Sequence, residues 1–170
     1  MKTVYLDNMI ACAITERDLR GDMQESLDGL VLIAKRRDTI RFKVSYEAQR
    51  EVERTRDEEK KKRLKAGISQ IDNVRDSGRL RGFNSQDLGR YGFISSPLMS
   101  DVLDPSIFAQ LTAFGFKKSD STHFVNAVCN KCDVFLTTDL DFIKYRSDLE
   151  SHYRQIIIRK PSELLSELVG

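Results

Sequence analysis

Residues 134–139 read Val-Phe-Leu-Thr-Thr-Asp, an apolar and β-branched run that stops at a carboxylate. A short run of this composition is typical of a strand buried inside a sheet. The segment Asp120–Asn130 before it has a helical pattern, with Phe124, Ala127 and Val128 on one face. A helix followed by a buried strand is a building unit of parallel α/β sheets.

Further strand and helix patterns lie on both sides of this unit. Strands are predicted over Thr3–Leu6, Ile40–Ser45 and Gln155–Arg159. Helices are predicted around Ser26–Lys35, over one long polar segment from Tyr46 to Ala66, and over Glu163–Leu168 with Ser162 as the N-cap. This alternation predicts an α/β fold with a mostly parallel central sheet flanked by helices on both faces.

Length and composition indicate one globular domain over residues 1–170. The chain has 170 residues, of which 40% are hydrophobic and 32% are charged, and its net charge of +2 reveals no basic face. Its apolar runs are far shorter than the roughly 18–20 residues of a membrane span. The first residues lack the apolar region of a secretory signal. We therefore expect a cytoplasmic protein without a membrane segment.

The segment from Ser77 to Ser100 is rich in Gly, Ser, Asn and Arg, which predicts an irregular insertion around residues 77–118. Its arginines, together with Phe83, Tyr91 and Phe93, suit contact with an RNA backbone and its bases. The same side chains would equally serve to pack the loop onto the domain. The sequence leaves both interpretations open.

Four carboxylates from distant segments are expected to converge. The first strand runs into Asp7, and the strand at residues 134–138 runs into Asp139. Parallel strands bring their carboxyl ends to the edge where open α/β sheets bind ligands. Asp120 begins a helix that starts at this edge, and Glu51 lies in the first turns after the second strand.

Such a cluster needs cations, because carboxylates a few ångströms apart repel one another and are poorly hydrated. Hard oxygen ligands favour Mg²⁺ or Mn²⁺. Two such ions about 3.5–4 Å apart activate a water and neutralise the leaving oxygen in phosphoryl displacement. The sequence contains no Gly-x-Ser-x-Gly elbow, Walker loop or His-Glu-x-x-His motif.

Each candidate also has a purely structural interpretation. Asp7 and Asp139 would serve as helix N-caps, and Glu51 as a solvated helix residue. His123, three residues after Asp120, suits a hydrogen-bonded core position, the orientation of a carboxylate or contact with a phosphate. Thr137 and Thr138 either support Asp139 or only reflect β-propensity. Cys129 and Cys132 form a lone Cys-x-x-Cys, which suits a redox pair, half a zinc site or inert core thiols.

These residues resemble the PIN-domain nuclease family. The resemblance rests on Val4–Asn8, on Glu51 six residues after Ser45, on Asp120–Ala127, on Val134–Phe142 and on Ile157–Leu165. It implies a three-layer fold with a five-stranded sheet and Mg²⁺- or Mn²⁺-dependent cleavage of RNA, with Asp7, Glu51, Asp120 and Asp139 as the acidic set. Asp141 would be a fifth ligand, Asn8 would give polar support, and Glu47 competes with Glu51 for the helix position. Many small members are dimeric toxins that an antitoxin protein inhibits, and others process RNA.

Two other functions fit parts of the pattern. Asp139-Leu140-Asp141 has the spacing of an Asp-x-Asp phosphatase, although such enzymes carry the motif on their first strand. A PIN-like module that binds RNA or protein without catalysis would also keep the fold. The full acidic set argues against that second alternative.

Overall fold

A five-stranded parallel sheet forms the centre of the protein. The computed structural model describes residues 1–37, 39–74 and 104–170. The strands lie in the order β3-β2-β1-β4-β5, and every pair of neighbours is parallel. Their bounds are β1 Lys2–Leu6, β2 Ile40–Val44, β3 Asp72–Asn73, β4 Val134–Leu136 and β5 Ile157–Arg159. The predicted parallel α/β architecture is confirmed.

Helices connect and cover these strands. Their bounds in the described residues are α1 Asn8–Glu16, α2 Asp22–Arg37, α3 Tyr46–Glu53, α4 Glu58–Ile68, α5 Pro105–Ala113, α6 Lys118–Cys129, α7 Leu140–Lys144, α8 Arg146–His152 and α9 Pro161–Val169. None of the helices in these parts of the chain combines the length and apolar character needed to cross a bilayer.

The core is divided between the two faces of the sheet. Successive strand residues point to opposite faces, so Val4 and Leu6 pack on one side and Tyr5 on the other. The first face is covered by α1, α2, α3, α4 and α9, and its core is aliphatic. The second is covered by α5, α6, α7 and α8, and its core is largely aromatic. The result is the predicted three-layer arrangement.

Two local predictions are wrong. The single helix predicted from Tyr46 to Ala66 is two helices, because Asp57 caps a new helix by accepting a hydrogen bond from the Lys60 N–H at 3.0 Å. The last helix begins at Pro161 with Lys160 at its N-cap, so Ser162 is not the cap. Proline suits the first helical turn because its missing N–H would have no partner there.

The predicted insertion lies only partly within the described residues. Residues 75–103 lie outside the described residues, and with them the aromatic and arginine residues considered for RNA contact. Beyond them the chain is regular, since α5 occupies Pro105–Ala113 with Asp104 as its N-cap. The irregular interpretation is therefore wrong for residues 105–113.

Candidate acidic site at the carboxyl edge of the sheet

Asp7 and Asp139 are joined through one threonine. The two residues follow the adjacent strands β1 and β4, and the Asp7 N–H donates to the Leu136 carbonyl at 3.0 Å. The buried Thr137 hydroxyl donates to Asp7 Oδ2 at 2.7 Å and accepts from the Asp139 N–H at 3.0 Å. The ends of the two central strands therefore hold both acidic residues in a fixed relationship.

Asp7 is a buried carboxylate, with 7% of its surface exposed. Its Oδ1 accepts a hydrogen bond from the Asn8 N–H at 2.6 Å, so it also caps α1. Burial raises the pKa of Asp7, and the charge of Asp139 raises it further, while His123, Thr137 and Asn8 oppose the change. A carboxylate in this environment is stabilised by a proton or by a nearby cation.

Asp120 lies in the first turn of α6 and is half-buried. Burial raises its pKa, and so do the negative charges of Asp139 and Glu51, whereas the Ser119 hydroxyl and Lys117 lower it. An influence of Asp139 and Glu51 on the pKa of Asp120 is what carboxylates near one edge of the sheet would produce. Asp139 is half-buried and caps α7, where its Oδ1 accepts from the Asp141 N–H at 2.8 Å.

A buried histidine contacts the helix carboxylate. His123 Nε2 lies 3.3 Å from Glu51 Oε2, and Nδ1 lies 2.8 Å from the Tyr5 hydroxyl. That hydroxyl donates in turn to Ser45 Oγ at 2.6 Å. Burial lowers the pKa of His123, but the contact with Glu51 and the charges of Asp7, Glu51 and Glu47 outweigh it and leave the pKa raised.

Glu47, the competing helix carboxylate, faces two arginines instead. Its Oε2 accepts from Arg50 at 3.3 Å, and its Oε1 lies 3.8 Å from Arg54. Glu51 thus joins the His123 network, and Glu47 joins a cationic pair one turn away. Glu51, which its spacing to Ser45 favours, and Glu47, one turn earlier, therefore have different partners in the structure.

The other candidates lie at the margin of the site. Asn8 uses its side-chain oxygen to accept from the Cys12 thiol at 3.5 Å. Asp141 is exposed on α7, and its backbone N–H supports Asp139. The buried Thr138 hydroxyl has no hydrogen-bond partner among the described residues. Burial raises the pKa of the Cys132 thiol to about 12, which disfavours the thiolate that redox or zinc chemistry requires.

Sequence reasoning missed Tyr5 and Ser45. Strand alternation puts Tyr5 on the face opposite to Val4 and Leu6, inside the aromatic core. A tyrosine hydroxyl in such a place needs a polar partner. That requirement is the signal that would have pointed to a buried polar group nearby.

The kind of donor atom in the acidic set suits a hard dication. Asp7, Asp120 and Asp139 offer only oxygen atoms, and their mutual repulsion and burial favour a bound cation. In residues 1–37, 39–74 and 104–170, no group of three or more His, Cys, Asp or Glu side chains is arranged closely enough to hold a metal ion. Asp7 and Asp139 follow adjacent strands at one edge, and the side chains of all three residues are engaged in helix caps or hydrogen bonds.

Comparisons with known proteins identify the fold. No family model and no curated protein sequence matches this chain. Among solved structures, it is similar to a chain in the crystal structure of VapBC2 from Rickettsia felis bound to a DNA fragment from their promoter. The TM-score is 0.53 at 13% identity, and the match covers 92% of this chain and 97% of the other. The two chains therefore share a fold over nearly their whole length, and the predicted α/β fold with a five-stranded parallel sheet between helices is confirmed.

Proposed function

We propose that this protein is a divalent-metal-dependent endoribonuclease that hydrolyses RNA phosphodiester bonds. The observation that carries the proposal is the pair Asp7 and Asp139, which the Thr137 hydroxyl joins at the carboxyl ends of two adjacent parallel strands. Asp120 adds a third carboxylate whose pKa responds to the charge of Asp139. Ligand sites of open α/β sheets lie at this edge.

Asp7, Asp120 and Asp139 are the residues that would hold Mg²⁺ or Mn²⁺, with Asp141 as a further ligand if α7 adjusts. A bound dication supplies Lewis acidity and lowers the pKa of a coordinated water. Thr137 fixes Asp7 against rotation by holding its Oδ2. The Asn8 N–H donates to Asp7 Oδ1, and the Thr138 hydroxyl, which has no partner among the described residues, would be available to a bound water.

Glu51 is the residue that we assign to orient the attacking water. Its Oε2 contacts His123, whereas its Oε1 has no hydrogen-bond partner in the part of the chain that the structure describes. A carboxylate oxygen is an acceptor and would hold a water by one of its O–H groups. The same oxygen would take a proton from that water as the water attacks phosphorus, while the bond from phosphorus to the 3′-oxygen breaks and that oxygen leaves with a proton from solvent.

The proposed partners follow from the resemblance of the sequence to the PIN-domain nuclease family. We propose an inhibitory protein of the antitoxin kind, a homodimer, and a cytoplasmic location, and the structural neighbour supports the first because it belongs to a VapBC2 assembly. A groove of about 740 Å³ lies between α1, α2, α4 and β2. It is apolar at Ile14, Val31 and Phe42, and Lys35 and Arg41 line it as well. This lining suits a partner segment that carries apolar and acidic side chains.

Cleavage of labelled single-stranded RNA tests the function. We expect cleavage with Mg²⁺ or Mn²⁺, none with EDTA, and a loss of about a hundredfold or more in Asp120→Asn. Asp18→Asn is the matched control, because Asp18 is exposed and follows the end of α1 that is remote from Asp7.

Two other results would replace the proposal. RNA binding without cleavage in either metal would favour the non-catalytic module. Hydrolysis of a small phosphoester while RNA stays intact would favour the Asp-x-Asp phosphatase.

A further inference from the structure

A continuous chain of hydrogen bonds runs through the protein beneath the acidic edge. It begins at Ser45 Oγ, passes through the Tyr5 hydroxyl at 2.6 Å and His123 Nδ1 at 2.8 Å, and ends at Glu51, 3.3 Å from His123 Nε2. The members come from four separate places in the fold: the residue after β2, β1, α6 and α3. This hydrogen-bond chain therefore connects Ser45, at the end of β2, to the carboxylate of Glu51 on α3.

Three members of this chain have almost no contact with solvent. Tyr5 and Ser45 are 0% exposed, and His123 is 1% exposed. The Tyr5 ring stacks on Phe135 with centroids 5.7 Å apart and meets His123 edge-on at 6.0 Å. Burying polar groups in an aromatic core is unfavourable unless each one is hydrogen-bonded. The core would fill the same space with a phenylalanine at position 5.

The chain has a defined direction at its outer end. An ionised carboxylate only accepts hydrogen bonds, so His123 Nε2 must carry the hydrogen that it donates to Glu51. The other ring nitrogen, Nδ1, lies 2.8 Å from the Tyr5 hydroxyl, and the Tyr5 and His123 rings meet edge-on in the buried core. Tyr5 and Ser45 thus determine the plane of the imidazole, and the imidazole determines where Glu51 Oε2 lies.

We propose that Tyr5 and Ser45 are positioning residues that act through His123 to hold Glu51 at the acidic edge. They touch neither RNA nor metal in this assignment, and the contact with His123 occupies only Oε2 of Glu51. The inference rests on the proposed nuclease function for its catalytic consequence. Its structural part is that Tyr5 and Ser45 fix the orientation of His123, and this part can be tested without an activity measurement.

The activity test compares Tyr5→Phe and Ser45→Ala with wild type. Both variants keep the core filled and remove one hydroxyl from the chain. We expect kcat to fall about tenfold to a hundredfold with little change in KM, because small misplacements of a reacting group cost rate rather than binding. Tyr153→Phe is the matched control, since it removes a tyrosine hydroxyl that donates to Gln110 outside the site.

The second readout is the imidazole itself, observed by ¹⁵N NMR in metal-free protein. The sequence has two histidines, so His152→Gln leaves the His123 signals alone in the spectrum. We expect a slowly exchanging Nε2–H in wild type and a shifted, fast-exchanging signal in Tyr5→Phe and Ser45→Ala. Unchanged signals and wild-type kcat in both would overturn the proposal.

The two proposals fail differently. If the wild-type protein cleaves no RNA, the proposed nuclease function is refuted. The NMR comparison would still decide whether Tyr5 and Ser45 fix the His123 ring. Should Tyr5→Phe not fold, Ser45→Ala carries both measurements, because it removes only one small hydroxyl at the end of the chain.

Discussion

The hydroxyl oxygen of Thr137 lies 2.7 Å from Oδ2 of Asp7 and donates a hydrogen bond between the ends of the two central strands. The two residues are 130 positions apart in the sequence. The same oxygen accepts from the Asp139 N–H, so one buried side chain orders both carboxylates. The hydroxyl group is therefore a better target than either carboxylate for testing whether the arrangement of the site matters.

Thr137→Val should keep the shape of the side chain and remove this hydrogen bond. We expect a loss of about 1–3 kcal/mol in the free energy of unfolding, the usual cost of leaving a buried acceptor without its donor. Cleavage should fall as well, because Asp7 is no longer held. Urea denaturation and RNA cleavage measure the two effects. Thr112→Val is the control, since its exposed hydroxyl bonds only to the Phe108 carbonyl in α5, and an equal loss there would contradict the interpretation.

Asp7→Asn should stabilise the metal-free protein at neutral pH. Burial raises the pKa of Asp7 in the folded state, so the native protein binds this proton more tightly than the unfolded chain does. Its contribution to stability is present below the unfolded pKa, near 4, and is lost as the pH rises through the folded pKa. Asparagine still caps α1, so we expect a gain of about 0.5–2 kcal/mol at pH 7.

Thermal unfolding in EDTA across the pH range checks this expectation. The gain should vanish below about pH 4, where both states of the wild-type carboxyl group are protonated. Added Mg²⁺ should raise the melting temperature of wild type more than that of Asp7→Asn, because a ligand that binds only the native state stabilises it. A lower melting temperature for Asp7→Asn at pH 7 would show that the ionised carboxylate stabilises the fold.

The main strands could be predicted because their patterns are simple. The two central strands are apolar runs that each end at an aspartate, and three consecutive isoleucines mark the edge strand β5. The other edge strand, β3, could not be predicted because it consists of Asp72 and Asn73, which have no apolar pattern. The break before α4 was hidden for a similar reason, since mixed charges continue through residues 54–63.

The candidate site also has residues that the sequence could predict and residues that it could not. Residues that follow strands could be assigned to the edge from topology alone, as with Asp7 and Asp139. The contact between Tyr5 and His123 spans 118 residues and depends on how α6 packs against β1, which no local pattern reveals. The choice between Glu47 and Glu51 was also open, because residues four apart lie on the same face of a helix.

Gly67 allows a close approach of α4 to α1. A Cβ at this position would lie 1.8 Å from Oγ1 and 3.0 Å from Cβ of Thr15. Gly67→Ala should therefore lower the free energy of unfolding by about 1–3 kcal/mol, as overpacking usually does, despite the better helix propensity of alanine.

Thr15→Ala in the same chain should recover much of the loss caused by Gly67→Ala, because it removes the atom nearest to the new methyl group. Gly29→Ala is the control, since its Cβ would meet only the flexible end of Leu165 at 3.2 Å. Chemical denaturation of wild type and these three variants measures the differences. Equal stability of Gly67→Ala and Gly29→Ala would show that α4 can move away from α1 at little cost.

Glu51→Gln and Glu47→Gln should differ in activity although the two residues are one helical turn apart. Glu51 contacts His123, whereas Glu47 is paired with Arg50 and Arg54. Glutamine at position 51 still accepts from His123 but is a poor acceptor for a proton, so we expect kcat to fall about tenfold to a hundredfold. Glu47→Gln keeps the helix and weakens only a partly exposed ion pair, which is worth little, so its kcat should stay within about twofold of wild type. Single-turnover cleavage of RNA at saturating metal measures both. A larger loss in Glu47→Gln than in Glu51→Gln would show that Glu51 does not orient the attacking water. It would also leave the buried hydrogen-bond chain, which ends at Glu51, without a catalytic role.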